Sequence, residues 1–220
     1  MLITANDIKN NISVKTYIEK ADESLCALGY TEHSYAHATK CAETAKNILL
    51  ETGHDERTAE LAYIAGYIHD IGNVINRHDH AQSGAVMAFR ILDNLGMPPD
   101  EIASIITAIG NHDEKTAYPV NDIAAALILA DKTDVRRSRV RNIDFSRFDI
   151  HDRVNYSVYK SEAFISEEKT ELILSLEIDT RFCSVMEYFE IFMERMLLCH
   201  RAAEKLKLVF KLIINGQQLM

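Results

Sequence analysis

Four histidines and two aspartates of this 220-residue chain stand where a folded core expects apolar side chains. His37 is followed at helical steps by Cys41, Ala45, Ile48 and Leu49. His69 ends the stripe Leu61, Ala62, Ala65, Gly66, with Asp70 directly after it, and His80 leads into Gly84, Met87, Ala88 and Ile91. His112 closes Ile105, Ala108, Ile109, and Asp131 continues Ala124, Leu127, Ile128. Imidazoles and carboxylates on inward faces are costly unless they pair with one another or bind a metal. A lone inward histidine is ordinarily a hydrogen-bonded core residue, and a lone buried aspartate commonly caps a helix. Six such groups in the order His, His-Asp, His, His, Asp point to a metal centre assembled from separate helices. Imidazole suits iron, manganese, zinc or nickel, and an aspartate can bridge two ions and hold a hydroxide between them. The adjacent His69-Asp70 pair sits at a helix end, where unwinding lets neighbours approach one ion from different angles, and Gly72 allows the turn that follows.

Apolar residues recur at three- and four-residue steps from the start to about Val140, predicting helices over 6–28 (open to a break near Asn11), 33–52, 56–70, 79–95, 99–111 and 120–135. Gly29, Gly53 and Gly96 lie just past three of these ends. Pro98-Pro99 before Asp100-Glu101 reads as a helix start, with acids facing the positive end of the dipole. After about Phe145 the period changes: Val154, Tyr156 and Val158 alternate with polar neighbours, as do Leu172, Leu174, Leu176 and Ile178. Phe182 to Leu206 returns to helix spacing, with Phe182, Val185, Met186, Phe189, Met193, Met196, Leu197 and Ala203 on one stripe. Leu208, Phe210, Leu212 and Ile214 then alternate before the turn at Asn215-Gly216. The expected fold is mainly α: a helical bundle over 1–144, then a small antiparallel β-β-α-β module over 145–220 packed on it, α+β overall.

Composition narrows the function classes. With 33 Asp+Glu against 24 Lys+Arg the net charge is −9, which argues against a general nucleic-acid or anionic-membrane binder. Cys26, Cys41, Cys183 and Cys199 form no CxxC pair and read as reduced thiols on helix faces. The N-terminal MLITANDIKNNI has no apolar leader core, and the longest apolar run, Ile123 to Ala130, falls far short of the roughly 20 residues that cross a bilayer. The expectation is a cytoplasmic protein. His33 to His37 has the spacing of a zinc protease helix but lacks the glutamate after the first histidine, and no GxGxxG, P-loop or GxSxG occurs. His33 is expected near the site entrance or exposed, His54 on a loop surface, and His200 half-buried on a helix.

Several segments together resemble the HD-domain superfamily of metal-dependent phosphohydrolases. HATKCAETAKNILLETG is similar to its first ligand helix, YIAGYIHDIGN to its defining His-Asp motif, and HAQSGAVMAFRIL to its third-ligand helix. IITAIGNHDE and ILADKTD resemble the motifs that follow, so the likeness covers about Tyr30 to Arg139. The resemblance implies that His37, His69, Asp70 and Asp131 hold a first metal and that His80 and His112 bind a second, with Asp70 bridging. It implies hydrolysis of phosphate mono- or diesters, often in nucleotides, although a few members use di-iron for oxygen chemistry. Many relatives continue the motif as HDxGK, where the lysine meets substrate phosphate; here Asn73 stands at that position. The cyclic-dinucleotide branch carries Gly-Tyr-Pro where this chain has Ala117-Tyr118-Pro119, which disfavours that substrate.

The phosphate-binding cation is therefore sought among Arg77, Lys132, Arg136 and Arg137, each within a turn or two of an expected ligand. Catalysis is expected at Asp70, beside which a metal-bound water is held for in-line attack, with Asp113, Glu114 or His78 as the acid for the leaving oxygen. One or two divalent transition metals are expected, iron or manganese first, with zinc, nickel, cobalt or magnesium as alternatives. The expected partner is a small phosphorylated substrate, a nucleotide by preference, with no membrane and no general nucleic acid; the oligomeric state is open. A di-iron oxygenase and a non-catalytic nucleotide- or metal-sensing module are the rival readings.

Overall fold

Helix starts coincide with residues able to satisfy free backbone N–H groups. Thr4 forms a capping box with Asp7 ahead of α1 (Ala5–Asn10). Asn11 ends that helix in an extended conformation, and its side chain accepts from Ser13 and Val14 to start α2 (Ile12–Ala27). The break left open near Asn11 in the expected 6–28 helix is present. Ser34 caps α3 (Tyr35–Glu51), Asp55 caps α4 (Glu56–Ile68) and Asn121 caps α7 (Asp122–Lys132). Pro98 and Pro99 open α6 (Pro99–Gly110), while α5 (His80–Asn94) starts after Asp79 in a left-handed conformation. The computed structural model describes residues 2–142, 148 and 150–220; the expected boundary at 144/145, with Phe145, lies outside the described residues.

The core runs through α4 and α7, buried on nearly every side from Leu61 to Ile68 and from Ile123 to Lys132. Helix α3 crosses α4 so closely that a Cβ on Gly66 would stand 2.8 Å from the Ala42 Cα. After α4 the chain makes a 3-10 turn, Ile71–Val74, pressed against the start of α5. There a Cβ on Gly72 would lie 2.0 Å from the His80 carbonyl oxygen and 2.5 Å from the Gly84 nitrogen, so only glycine fits.

The C-terminal part departs from expectation in three ways. Val154 and Tyr156 belong to a short helix, α8 (Ile150–Ser157), and strand β1 (Val158–Ile165) begins only after it. β1 pairs antiparallel with β2 (Glu171–Ile178), but β2 pairs parallel with β3 (Val209–Ile214), and β4 (Gln217–Gln218) closes the order β1-β2-β3-β4. The sheet is mixed rather than antiparallel, because α9 (Val185–Lys205) carries the chain back to the starting end of β2, as a parallel crossover requires. The buried stripe of α9 is also rotated from the expected one: Tyr188, Phe192, Met196, Cys199 and Ala203 face inward, while Met186, Met193 and Leu197 are exposed. Its buried face packs on α7 and on the inner face of the sheet, where Leu172, Leu174, Phe210 and Leu212 are buried in the same continuous core as the bundle. No helix among the described residues is long and apolar enough to cross a membrane.

Candidate metal centre

The six expected ligands meet. His37 comes from α3, His69 and Asp70 from the unwinding end of α4, His80 from the first residue of α5, His112 from just beyond α6, and Asp131 from the last turn of α7. All four imidazoles are at most 2% exposed. Each is anchored through Nδ1: His69 on the Gly66 carbonyl at 2.8 Å, His80 on that of Arg77 at 3.0 Å, His112 on that of Ile109 at 2.6 Å. A carbonyl only accepts, so Nδ1 carries the proton in all three and Nε2 presents a lone pair. For His37 the Nδ1 partner is the Asp134 carboxylate at 2.8 Å.

The free Nε2 atoms converge on Asp70, and they divide between its two oxygens. His69 and His37 lie 3.1 and 3.6 Å from Oδ2, with Asp131 Oδ1 a further 3.4 Å from His37 Nε2 and 3.9 Å from His69 Nε2. His80 and His112 lie 3.5 and 3.9 Å from Oδ1. Two details show that the set fits cations. The Nε2 atoms of His80 and His112 face each other at 3.2 Å, two lone pairs that need positive charge beside them, and the Arg77 guanidinium 3.4 Å from His80 Nε2 supplies part of it. The fully buried Nε2 of His69 has no hydrogen-bond partner among the described residues. Buried nitrogens are not left so without a reason, and metal-bound histidines ordinarily donate their other N–H to a carboxylate or carbonyl, as all four do here.

Without a cation in the centre, Asp70 and Asp131 raise the His69 imidazole against the effect of burial. Burial alone would raise the Asp70 carboxyl, yet the positive charge that His69 then carries holds it well below the usual carboxylate range. Asp131 is likewise held down against burial by Lys132 and His37. Burial pushes His80 down to about 4, which keeps its ring neutral and its lone pair available.

Other expected residues divide sharply. Lys132 Nζ lies 2.6 Å from Asp131 Oδ2, so it flanks the centre, and Arg77 Nη1 lies 3.3 Å from Asn73 Oδ1 and 3.4 Å from His80 Nε2. Arg77 thus approaches the position where relatives carry lysine, one turn later in the chain. Arg136 is taken up by Asp134 and Glu32. Arg137 lies over the Tyr156 ring and donates to its carbonyl, at the junction with α8. Glu114 is shared by Arg195 at 2.7 Å and Lys132 at 3.6 Å. Asp113 is half-buried after His112, whereas His78 is 74% exposed and paired with Asp79. His33 is half-buried with its ring 5.4 Å from that of His37, at the edge of the centre as expected.

Two charged residues escaped the sequence reading. Asp134, fully buried, orients His37; its signal was a second acid three residues after Asp131, with arginines beginning two residues later. Arg195, on α9, carried no local signal. Cys41 lies within reach of His37, His69 and Asp131 as a further donor. Its Sγ is 3.6 Å from both ring nitrogens of His37, which places it beside the ring rather than beyond Nε2.

The HD-domain profile matches residues 30–154, more than half of the chain. The chain belongs to the HD-domain family. HD domains bind divalent metals, and the His/Asp cluster has the donors to hold one. An uncharacterized protein of Methanocaldococcus jannaschii is similar to this HD-domain chain at 27% identity over 198 residues, covering 78% of this chain and 76% of the relative. A crystal structure of a predicted HD superfamily hydrolase from an uncultured Thermotogales bacterium covers 56% of this chain and 67% of its own, at 24% identity and a TM-score of 0.44.

Proposed function

We propose that this HD-domain protein is a metal-dependent phosphohydrolase acting on a nucleotide or a small phosphorylated metabolite. The observation that carries the reading is the division of Asp70: one oxygen faces His37 and His69 beside Asp131, the other faces His80 and His112. In this reading His37, His69, Asp70 and Asp131 hold one divalent ion, and Asp70, His80 and His112 a second, with iron or manganese as the leading candidates. Divalent ions held there would supply a positive site for phosphate oxygens and would lower the pKa of water.

The chain's own groups do the rest. Lys132, beside Asp131, and Arg77, beside His80 and Asn73, supply the positive charge that a phosphate ester needs, with Arg77 serving in place of the lysine absent at Asn73. Asp70, held ionised, keeps its oxygens available, and the carbonyl-anchored histidines resist reorientation when charge develops. Glu114 is an unsuitable proton donor: burial would raise its carboxyl, but Arg195 and Lys132 hold it below its ordinary value. With His78 turned to solvent, Asp113 beside His112 remains for the leaving group among the three acids considered. All four cysteines are free, in keeping with a cytoplasmic setting, and residues 1–144 act as the metal-binding unit with 145–220 docked on it.

The test is to load purified protein with manganese or iron and assay a panel of nucleotides and phosphate esters. Hydrolysis that disappears together with bound metal in His69→Ala and Asp70→Ala supports the reading. A fully loaded sample that releases nothing, but takes up oxygen when reduced with iron, overturns it in favour of an oxygenase.

A further inference from the structure

The C-terminal module lies outside the stretch that carries the family motifs, yet α9 sends a guanidinium toward the centre. Arg195 Nε donates to Glu114 Oε1 at 2.7 Å. The same oxygen lies 3.6 Å from Lys132 Nζ, which in turn lies 2.6 Å from Asp131 Oδ2. The other Asp131 oxygen is the one that faces His37 and His69. Four side chains of alternating charge thus run from α9, through the loop after α6, to the end of α7. The Arg195 side chain is 22% exposed, and its guanidinium rests over the Phe192 ring at 4.3 Å, so it is braced from behind.

We propose that Arg195 is a positioning residue for the metal centre, acting through Glu114 and Lys132 to hold Asp131 with Oδ1 turned toward His37 and His69. The proposal rests on the metal-binding part of the preceding reading and extends it: the C-terminal module completes the site rather than merely covering it. The geometry explains why two cations share Glu114. Without Arg195, Glu114 keeps only Lys132 as a partner among the described residues and can draw the ammonium away from Asp131. Asp131 then loses the contact that fixes which of its oxygens faces the histidines. With Arg195 present, Glu114 is held from its far side, and Lys132 stays bridged between two carboxylates. One of its three N–H donors is then left for a substrate oxygen.

The experiment compares the full chain with Arg195→Gln, Arg195→Lys and Glu114→Gln. Cobalt and manganese titrations serve as readouts, together with the visible spectrum of the cobalt-loaded protein and thermal unfolding of the metal-free protein. Arg195→Gln is expected to weaken metal binding by about 10–100-fold, as loss of an outer partner does, and to change the cobalt spectrum. Arg195→Lys should recover most of the affinity. The double variant Arg195→Gln/Glu114→Gln should lose far less than the product of the two single losses, since both act along one path. Wild-type affinity and spectrum in Arg195→Gln would overturn the proposal. So would equal losses in the Gln and Lys variants that merely track lowered thermal stability, which would assign Arg195 to packing on Phe192. None of these readouts needs a substrate, so failure to find hydrolysis leaves the result for Arg195 intact.

Discussion

Replacing Asp134 by Asn removes one negative charge from the most heavily engaged carboxylate among the described residues while keeping its shape. Its side chain is fully buried and meets His37 Nδ1 at 2.8 Å, Arg136 Nε at 2.8 Å, Lys40 Nζ at 3.2 Å and Arg139 Nη1 at 3.6 Å. Lys40 is 39% exposed, so water screens its share to a fraction of about 1 kcal/mol. Arg139 is only 6% exposed and dominates, because its guanidinium is left in the interior with its charge less well matched. Removing one partner of a buried pair costs about 3–5 kcal/mol, and the retained amide oxygen argues for the lower end. At about 2–4 °C per kcal/mol for a chain of this size, about 3 kcal/mol lowers Tm by roughly 6–12 °C. The pH dependence fixes the cause. Burial would raise the Asp134 carboxyl, but His37 and Arg139 hold it far below its ordinary value. Its contribution is then complete above the unfolded pKa of about 3.9 and lost as pH falls below it. Circular-dichroism melts of both proteins in chelator should show a constant gap from about pH 8 to about pH 5 that narrows below about pH 4. A gap under about 2 °C, or one that narrows already above about pH 5, would refute the assignment of this stability to the buried charge.

His80→Ala and His112→Ala should each reduce bound metal from two ions to one by elemental analysis, whereas His69→Ala should remove both, since its Nε2 faces the shared Asp70. Gly72→Ala should cost about 3 kcal/mol or more, read by chemical denaturation, because the new methyl would meet two backbone atoms of α5 that cannot yield. Arg77→Gln should lower kcat/KM about 10–100-fold, the worth of a charged hydrogen bond to phosphate, with unchanged metal content. Chelation at metal levels about 100-fold above Kd should remove about 2.7 kcal/mol of apparent stability for each bound ion, seen as a fall in Tm.

The six inward polar residues were legible because helical periodicity marks a misplaced histidine or aspartate as plainly as a misplaced leucine, and the bundle indeed buries all the stripes they interrupt. Asn11 shows the limit of that signal: the apolar period continues across it, and only its capping side chain reveals that the helix restarts. In the C-terminal part, local alternation identified β2 and β3 but not their relative direction, which depends on where a 21-residue helix returns the chain. α9 is apolar on two neighbouring faces, so periodicity offered no ground for preferring Tyr188 and Phe192 over Met186 and Met193. Arg195 and Asp134 were hidden for a different reason. Their roles arise from contacts across 81 and 97 residues of sequence, and a charged residue on a helix reads as solvated until its partner is placed.

Gly72 and Gly84 bring two stretches of main chain together with no side chain between them, and Gly84 also stands against the His69 carbonyl. His69, Asp70 and His80 are therefore mounted on one welded block, while His37 and Asp131 reach it from α3 and α7. α3 is locked to the same block where Gly66 meets the Ala42 backbone, so the spacing of the ligands is fixed by main-chain contacts that no side-chain rotation can relax.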